Sequence, residues 1–187
     1  MLKKGIRILG IDDSTFESKT KNVLIVGTVY RDGIIEGVLS TKIIKDGDDS
    51  TRKVIKMLKQ SRFLDQVKLI MTNGIMLAGF NVVDINELHR QLNIPVVAVT
   101  RKKADMARVL KALSHLKKGS TNKKIGIIEG TEPQQKVDFK GNSLYYQSAG
   151  IDRAEVVKVI KRAGIEPIRL SHIIGSGIIR GESSGRI

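Results

Sequence analysis

The chain has 187 residues and a formal net charge of +14, because 33 lysines and arginines outweigh 19 aspartates and glutamates. This length suits a single α/β domain, 1–187, and the positive charge favours a polyanionic partner, RNA or DNA. The absence of cysteine excludes disulfides and thiolate metal sites, and only three tyrosines and four phenylalanines are present, too few for an extended base-stacking platform.

The first elements in chain order form a predicted antiparallel meander. Three segments rich in apolar and β-branched residues follow one another, and the last two are separated by the turn signal Asp32-Gly33. The predicted strands are 6–12, 22–30 and 34–44. The first of them delivers two adjacent carboxylates, Asp12 and Asp13, at its end.

Beyond residue 50 the spacing of apolar residues changes from two to 3.6, which predicts alternating helices and strands. One predicted helix begins near Ser50, and three others contain residues 85–92, 106–113 and 156–163. The predicted strands are 67–71, 94–100, 124–129 and 143–147, and the polar segment 117–124 is a predicted mobile loop. With right-handed crossovers the first strand lies centrally, beside 67–71, in a mixed sheet flanked by helices. This arrangement places Asp12 beside Asn73 at the carboxyl ends of parallel strands, where open α/β sheets build their sites.

Asp12 is the first candidate for a metal ligand. A carboxylate at the mouth of a buried strand is costly unless it is paired, hydrogen-bonded or bound to a cation. Asp13 can instead stabilise the turn through its backbone, so Asp12 is the preferred ligand of the two.

A second acidic cluster follows the third predicted strand and contains Asp46, Asp48 and Asp49. Asp48, Asp49 or Ser50 can cap the next helix, whose N-terminal end favours negative charge. Combined with Asp12, Asp46 or Asp49 can also complete an oxygen-rich site for Mg²⁺, with Mn²⁺ as the alternative ion. Both interpretations are open from the sequence.

Basic residues supply candidate contacts to nucleic acid. Arg101, Lys102 and Lys103 follow a predicted strand at the same sheet edge and can meet phosphates, although a solvated loop has the same composition. Near the C-terminus, Arg169 and His172 precede a glycine-rich and serine-rich segment that suits phosphate binding or a flexible tail. His172 has no neighbouring nucleophile pattern, which is typical of a packed or surface histidine.

Four sequence blocks identify a resemblance to a known family. They are GIDDS at 10–14, DGDDST at 46–51, AGFNVVDI at 78–85 and GESSGR at 181–186. Over nearly the whole chain these blocks resemble an uncharacterised archaeal protein family. That family is in turn distantly similar to endonuclease V, a Mg²⁺-dependent enzyme of the ribonuclease H-like fold that cuts nucleic acid near deaminated adenine.

The resemblance implies a set of site residues. Asp12 matches an aspartate that endonuclease V carries at the end of its first strand, and Asp46 or Asp49 is the nearest match to its acidic residue after the meander. Asn73, before a glycine, stands where the enzyme has aspartate, so this position supplies an amide oxygen and no negative charge. Asp152 is the nearest match to a later ligand, although Asp152-x-x-Glu155 also reads as a helix start.

The resemblance departs from endonuclease V in substrate recognition. That enzyme inserts a tyrosine-containing, proline-rich wedge beside the modified base, and the connection after this chain's meander has neither residue type. Inosine recognition is therefore not expected to carry over.

Two functions from different classes follow. The first is a Mg²⁺-dependent phosphodiester endonuclease, and the second is a catalytically inactive nucleic-acid-binding or assembly protein, which Asn73 favours. A small phosphorylated ligand at the glycine-rich C-terminus is a third interpretation. The chain shows no signal-peptide pattern and no membrane span, so a cytoplasmic location is expected, and the sequence does not indicate an oligomeric state.

Overall fold

A computed structural model describes residues 5–115 and 118–183 of the protein. Its strands are β1 (Arg7–Asp13), β2 (Asn22–Arg31), β3 (Ile34–Ile44), β4 (Val67–Asn73), β5 (Met76–Leu77), β6 (Asn81–Val82), β7 (Val96–Thr100), β8 (Gln135–Phe139) and β9 (Asn142–Ala149). Its helices are α1 (Ser50–Lys59), α2 (Ile85–Leu92), α3 (Met106–Leu113), α4 (Lys118–Glu129), α5 (Arg153–Ala163) and α6 (Glu166–Arg180).

Seven of the strands form one mixed sheet in the order β3-β2-β1-β4-β7-β9-β8. The first three strands pair antiparallel, and β1, β4 and β7 run parallel to one another. The last two strands, β9 and β8, are antiparallel additions beside β7. The predicted mixed sheet with a central first strand is confirmed, and the carboxyl ends of β1, β4 and β7 meet at one edge, called here the functional edge.

The sheet buries one apolar cluster on each face. Leu9 and Ile11 of β1 belong to the cluster on the face covered by α1 and α2, whereas Ile8 belongs to the cluster that includes residues of α5 and α6. This alternation follows from the two-residue period of a strand. A sheet covered on both faces holds its functional edge rigidly in place.

Helix α6 lies directly on β1 and β2. A Cβ atom at Gly10 would stand 2.2 Å from the backbone carbonyl carbon of Pro167, so only glycine permits this approach. The Ser171 hydroxyl donates to the Gly10 carbonyl at 2.7 Å and accepts from the Thr28 amide at 3.1 Å. The alternative prediction of a flexible tail is therefore wrong for the part of the tail up to Arg180, while 184–186 lie outside the described residues.

Two further sequence predictions are wrong. The segment 124–129 is the end of helix α4, not a strand, and residues 118–124 of the predicted loop form the start of that helix; Lys117 lies outside the described residues. The short apolar run in this segment fits a strand or a helix equally, but Lys124 and Ile128, one helical turn apart, are the buried residues. The β5–β6 hairpin and strand β8 were not predicted. In the described part of the chain, no helix is both long and apolar enough to cross a membrane.

Candidate metal and nucleic-acid site

Asp12 and Asn73 lie side by side at the functional edge, as the strand order predicts. The Asn73 amide nitrogen donates to both carboxylate oxygens of Asp12, at 3.2 and 3.3 Å. Asp12 is only 1% exposed, whereas Asn73 is half-buried and faces the opening of the edge. The two residues are thus oriented by each other before any ligand arrives.

His172 completes a cluster that the sequence did not reveal. Helix α6 brings its Nδ1 atom to 3.2 Å from Asp12 Oδ2 and to 3.2 Å from the Asp13 carbonyl oxygen. Ligand atoms of Asp12, Asp13 and His172 all lie within 4.8 Å of one another, the only such group of three among the residues described. Asp13, predicted to stabilise the turn through its backbone, uses its side-chain Oδ2 atom to accept the Ala78 amide of the distant β5–β6 hairpin at 2.5 Å, and it also joins this cluster.

Burial and the mutual repulsion of two carboxylates shift the pKa values of the cluster. Burial raises the pKa of Asp12, and burial together with the charge of Asp12 raises the pKa of Asp13 to about 6. The hydrogen bond to Asp12 raises the pKa of His172. Two carboxylates therefore share one imidazole in a poorly hydrated place, and a divalent cation would relieve their mutual repulsion.

Asp46 lies outside this cluster. Its Oδ1 atom accepts the Phe80 amide at 2.8 Å, and its own amide donates to the Ala78 carbonyl at 2.9 Å. Its backbone has a φ of 55°, which turns the chain after β3 toward the β5–β6 hairpin. The contacts of Asp46 are those of a residue that fixes this hairpin.

Asp49 likewise makes internal contacts. Its Oδ1 atom accepts from the Ile44 amide at 3.1 Å and from the Asn81 side chain at 2.7 Å. Asp49 occupies the N-cap position of α1 but its side chain accepts no hydrogen bond from that helix, so the capping interpretation holds for its position only. The role of Asp46 and Asp49 as metal ligands stays a prediction that their contacts do not favour.

Asp152 is placed away from Asp12. Strand β9 runs antiparallel to β7 and ends with Ala149 opposite Val96, so the chain leaves it at the end of the sheet opposite to the functional edge. Asp152 Oδ1 accepts the Glu155 amide at 2.9 Å and caps α5. The helix-start interpretation holds, and Asp152 does not share a site with Asp12.

The predicted basic residues gather around one groove. Arg101, Lys102 and Lys103 are exposed and follow β7 at the functional edge, where they line a cavity of about 770 Å³ together with Arg169 and Lys140. Arg169 forms an ion pair with Glu166 on the same helix and lies one helical turn before His172. We call this the basic groove, and Lys140 of the β8–β9 turn is a member that the sequence did not indicate.

A second cavity opens on the other side of Asn73. It has a volume of about 580 Å³ and lies between the ends of β4 and β7 and helices α3 and α4. Most of its lining surface is apolar, and Asn73, Gln134 and Gln147 supply three side-chain amides. We call this the Asn73 cavity.

Comparison with known proteins gives this geometry a context. A family model described as "Endonuclease dU" matches residues 4–179. The chain is 44% identical to a UPF0215 protein of Methanothermobacter thermautotrophicus, over 98% of this chain and 93% of that protein. It also matches the crystal structure of a protein of unknown function from Archaeoglobus fulgidus, with a TM-score of 0.85, 37% identity and coverage of 94% and 99% of the two chains.

More distant structures share the fold. Human ENDOV matches with a TM-score of 0.64 and 14% identity, over 95% of this chain and 85% of that chain. Endonuclease V of Ciona intestinalis, solved in complex with a DNA containing inosine followed by a ribo-adenosine, matches with a TM-score of 0.56 and 11% identity, over 90% and 83% of the two chains. The mixed α/β fold is therefore that of endonuclease V.

Proposed function

Because the chain belongs to the endonuclease dU family, we propose that it is a nucleic-acid-binding endonuclease that hydrolyses a phosphodiester near deoxyuridine with the help of a divalent cation. The observation that carries this proposal is the convergence of Asp12, Asp13 and His172 beside Asn73 at the functional edge. The proposed specificity for deoxyuridine is taken from the name of the family. The DNA bound to the Ciona enzyme supports a nucleic-acid partner.

The residues present fit a divalent cation. Asp12 and Asp13 offer carboxylate oxygens, the Asn73 amide carbonyl is a neutral oxygen donor, and His172 offers a nitrogen. Asp12, which is buried, and Asp13, which is partly buried, can bear two negative charges against at most one positive charge on His172. Carboxylate-rich sites suit Mg²⁺ and Mn²⁺, and the two ions remain alternatives because imidazole is a poorer ligand for Mg²⁺.

The bound cation would polarise the scissile phosphate and lower the pKa of water. The chain's own residues have separate roles. Asp12 and Asp13 hold the negative charge that draws the cation to the edge, and Asn73 keeps the Asp12 carboxylate in place. His172, whose Nδ1 faces Asp12, can hold or release a proton beside the reacting phosphate. Arg101, Lys102, Lys103 and Arg169 bind phosphates of the strand along the basic groove.

Asn73 favours a second candidate, a nucleic-acid-binding protein without turnover. A two-metal mechanism needs anionic ligands around both ions, and the amide of Asn73 brings no charge. A binding protein would keep the basic groove and lose only cleavage. The two candidates differ in whether products form.

The test is a cleavage assay on end-labelled RNA and DNA with uridine or deoxyuridine at a defined position, in Mg²⁺, Mn²⁺ or EDTA. The endonuclease proposal expects metal-dependent products from a deoxyuridine-containing strand, and Asp12→Asn should remove them while the circular dichroism spectrum stays unchanged. Salt-sensitive binding without products in either metal would favour the binding protein. Failure of both binding and cleavage would overturn both candidates.

A further inference from the structure

Ser176 carries a buried hydroxyl that the proposed chemistry does not use. It lies on α6, one helical turn after His172, and is 4% exposed. Its Oγ atom stands 3.3 Å from His172 Nε2, the ring nitrogen that does not face Asp12. A helical serine can return its hydroxyl to the carbonyl oxygen one turn earlier, but the hydrogen bond of Ser176 Oγ within residues 5–115 and 118–183 goes to this imidazole instead.

The other ring nitrogen determines where a neutral His172 carries its proton. Nδ1 stands 3.2 Å from Asp12 Oδ2 and 3.2 Å from the Asp13 carbonyl oxygen. A backbone carbonyl and an ionised carboxylate can only accept hydrogen bonds, so the proton of a neutral ring in this arrangement lies on Nδ1. Nε2 is then an acceptor, and the Ser176 hydroxyl donates to it.

A cation bound at Nδ1 requires the opposite arrangement. A nitrogen that binds a metal must offer its lone pair, so a neutral ring then carries its proton on Nε2. A fully protonated ring also has an N–H there. Nε2 therefore needs a partner that accepts a hydrogen bond in two forms of the ring and donates one in the third.

A hydroxyl group meets this requirement from a single position. The O–H bond of Ser176 can rotate, so the same Oγ atom donates to Nε2 or accepts from it. An ionised carboxylate at this place could only accept, and an ammonium group could only donate. Because Ser176 is buried, its hydroxyl is also a partner that water does not readily replace.

Helix α6 holds the two side chains in register. His172 and Ser176 are four residues apart and therefore lie on the same face of the helix. Ser171 anchors the helix to the Gly10 carbonyl, and a Cβ atom at Gly175 would stand 3.1 Å from the Ser14 side chain. The backbone that carries the imidazole is thus fixed against β1, and the hydrogen bond to Ser176 restricts the remaining rotation of the ring.

We propose that Ser176 is a positioning residue, whose hydroxyl keeps Nδ1 of His172 directed at Asp12 and Asp13 in every protonation form of the ring. This inference rests on the proposed function, because it assigns Ser176 to the cation site of that function. Ser176 acts only through the imidazole. A partner at the second nitrogen is common for metal-binding histidines, and its loss costs about 10–100-fold in metal affinity or activity.

The test is a double-mutant cycle on the affinity of the full chain for Mn²⁺, measured by calorimetric titration. Ser176→Ala removes the hydroxyl and should weaken Mn²⁺ binding about 10-fold relative to the parent. In a His172→Ala chain the same substitution should have no further effect, because the imidazole through which Ser176 acts is gone. A purely structural role of the hydroxyl would weaken binding equally in both backgrounds.

The matched control is Ser61→Ala. The Ser61 hydroxyl donates to the Leu58 carbonyl oxygen at 2.8 Å, between α1 and the start of β4, at the end of the sheet opposite to the functional edge. Its removal should leave Mn²⁺ affinity at the parent's value. Circular dichroism spectra and melting temperatures show that every variant compared is folded.

No loss of affinity in Ser176→Ala, or an equal loss in both backgrounds, would overturn the positioning role and leave the endonuclease proposal intact. If the His172→Ala chain binds no Mn²⁺, Ser176→Thr decides: it keeps a hydroxyl and should bind Mn²⁺ as the parent does, and a loss as large as that of Ser176→Ala would overturn the role. If the parent itself binds no Mn²⁺, this inference fails; if the parent also cleaves no oligonucleotide, the proposed function fails with it.

Discussion

Two groups of aspartates at the functional edge have the same residue type and opposite environments. Asp12 and Asp13 stand beside each other with one imidazole, and burial raises the pKa of both. Asp46 and Asp49 each accept backbone or side-chain donors from the β5–β6 hairpin and the end of β3. The comparison teaches that a neighbouring carboxylate and imidazole, rather than the density of acidic residues in the sequence, separate a candidate ligand from a structural carboxylate.

The largest expected effect is on activity, at Asp12. Asp12→Asn should reduce metal-dependent cleavage about 100-fold or more, because the cation loses a charged ligand. The same change should leave the melting temperature at pH 8 equal or higher, since it removes a buried charge. Cleavage rates and calorimetry check both parts, and Asp65→Asn on the exposed surface is the control. A large drop in stability with normal cleavage would show that Asp12 stabilises the fold and does not bind the cation.

The second effect is on stability, at Asp49. Asp49→Ala leaves the Ile44 amide and one N–H of the Asn81 side chain without their acceptor, which should lower the free energy of unfolding by about 1–3 kcal/mol. Urea denaturation measures this change. The affinity of the folded variant for Mn²⁺, measured by calorimetric titration, should stay at the parent's value. A loss of metal affinity with unchanged stability would place Asp49 among the ligands.

A smaller effect is expected at Asn73. Asn73→Asp sets a third carboxylate beside Asp12, so the metal-free variant should be less stable than the parent, while its affinity for Mg²⁺ or Mn²⁺ should rise about 10-fold. Asn142→Asp, at the exposed first residue of β9, adds the same charge elsewhere and should change neither the stability nor the metal affinity. Thermal melting with and without metal tests the pair. Lower metal affinity in Asn73→Asp would show that metal binding requires the neutral amide of Asn73.

The smallest effect is a pH dependence. An aspartate whose pKa rises from 3.8 to about 6 on folding binds its proton more tightly in the folded chain. Asp13 therefore adds stability at low pH, and this contribution is lost as the pH rises from the ordinary pKa through about 6. In EDTA, the free energy of unfolding of the parent should decline with pH across this window relative to Asp13→Asn. Parallel curves for the two proteins would contradict the raised pKa.

The sequence predicts the sheet better than the helices that complete the site. Alternating apolar residues and the Asp32-Gly33 turn fix the meander, and right-handed crossovers then place β4 beside β1, which is enough to bring Asn73 to Asp12. Helix α4 was missed because its short apolar run has no decisive period. Helix α6 was not predicted as a helix, because its glycines and serines resemble a tail, although its residues Arg169 and His172 were predicted contacts to nucleic acid.

Only the part of the candidate site that lies on the sheet could be predicted from the sequence. Asp12 and Asn73 follow from strand order, which is a local property of the sequence. His172 depends on a contact across 160 positions of chain, made possible where Gly10 lets Pro167 approach. The one sequence feature that relates to this contact is Gly10, whose lack of a side chain lets α6 approach. Gly10 could not be interpreted in this way before the position of α6 was known. The contacts of Asp46 and Asp49 could not be predicted, because the Phe80 amide and the Asn81 side chain that donate to them belong to a hairpin that no sequence pattern indicated.

The dependence on α6 has a consequence for biosynthesis. Asp12, Asp13 and Asn73 leave the ribosome early, whereas His172 is among the last residues of the described chain to emerge. Until α6 docks on β1 and β2, the aspartates lack their imidazole partner and the Gly10 surface is bare. A nascent polypeptide therefore carries an incomplete cluster until α6 has been synthesised and has docked on β1 and β2.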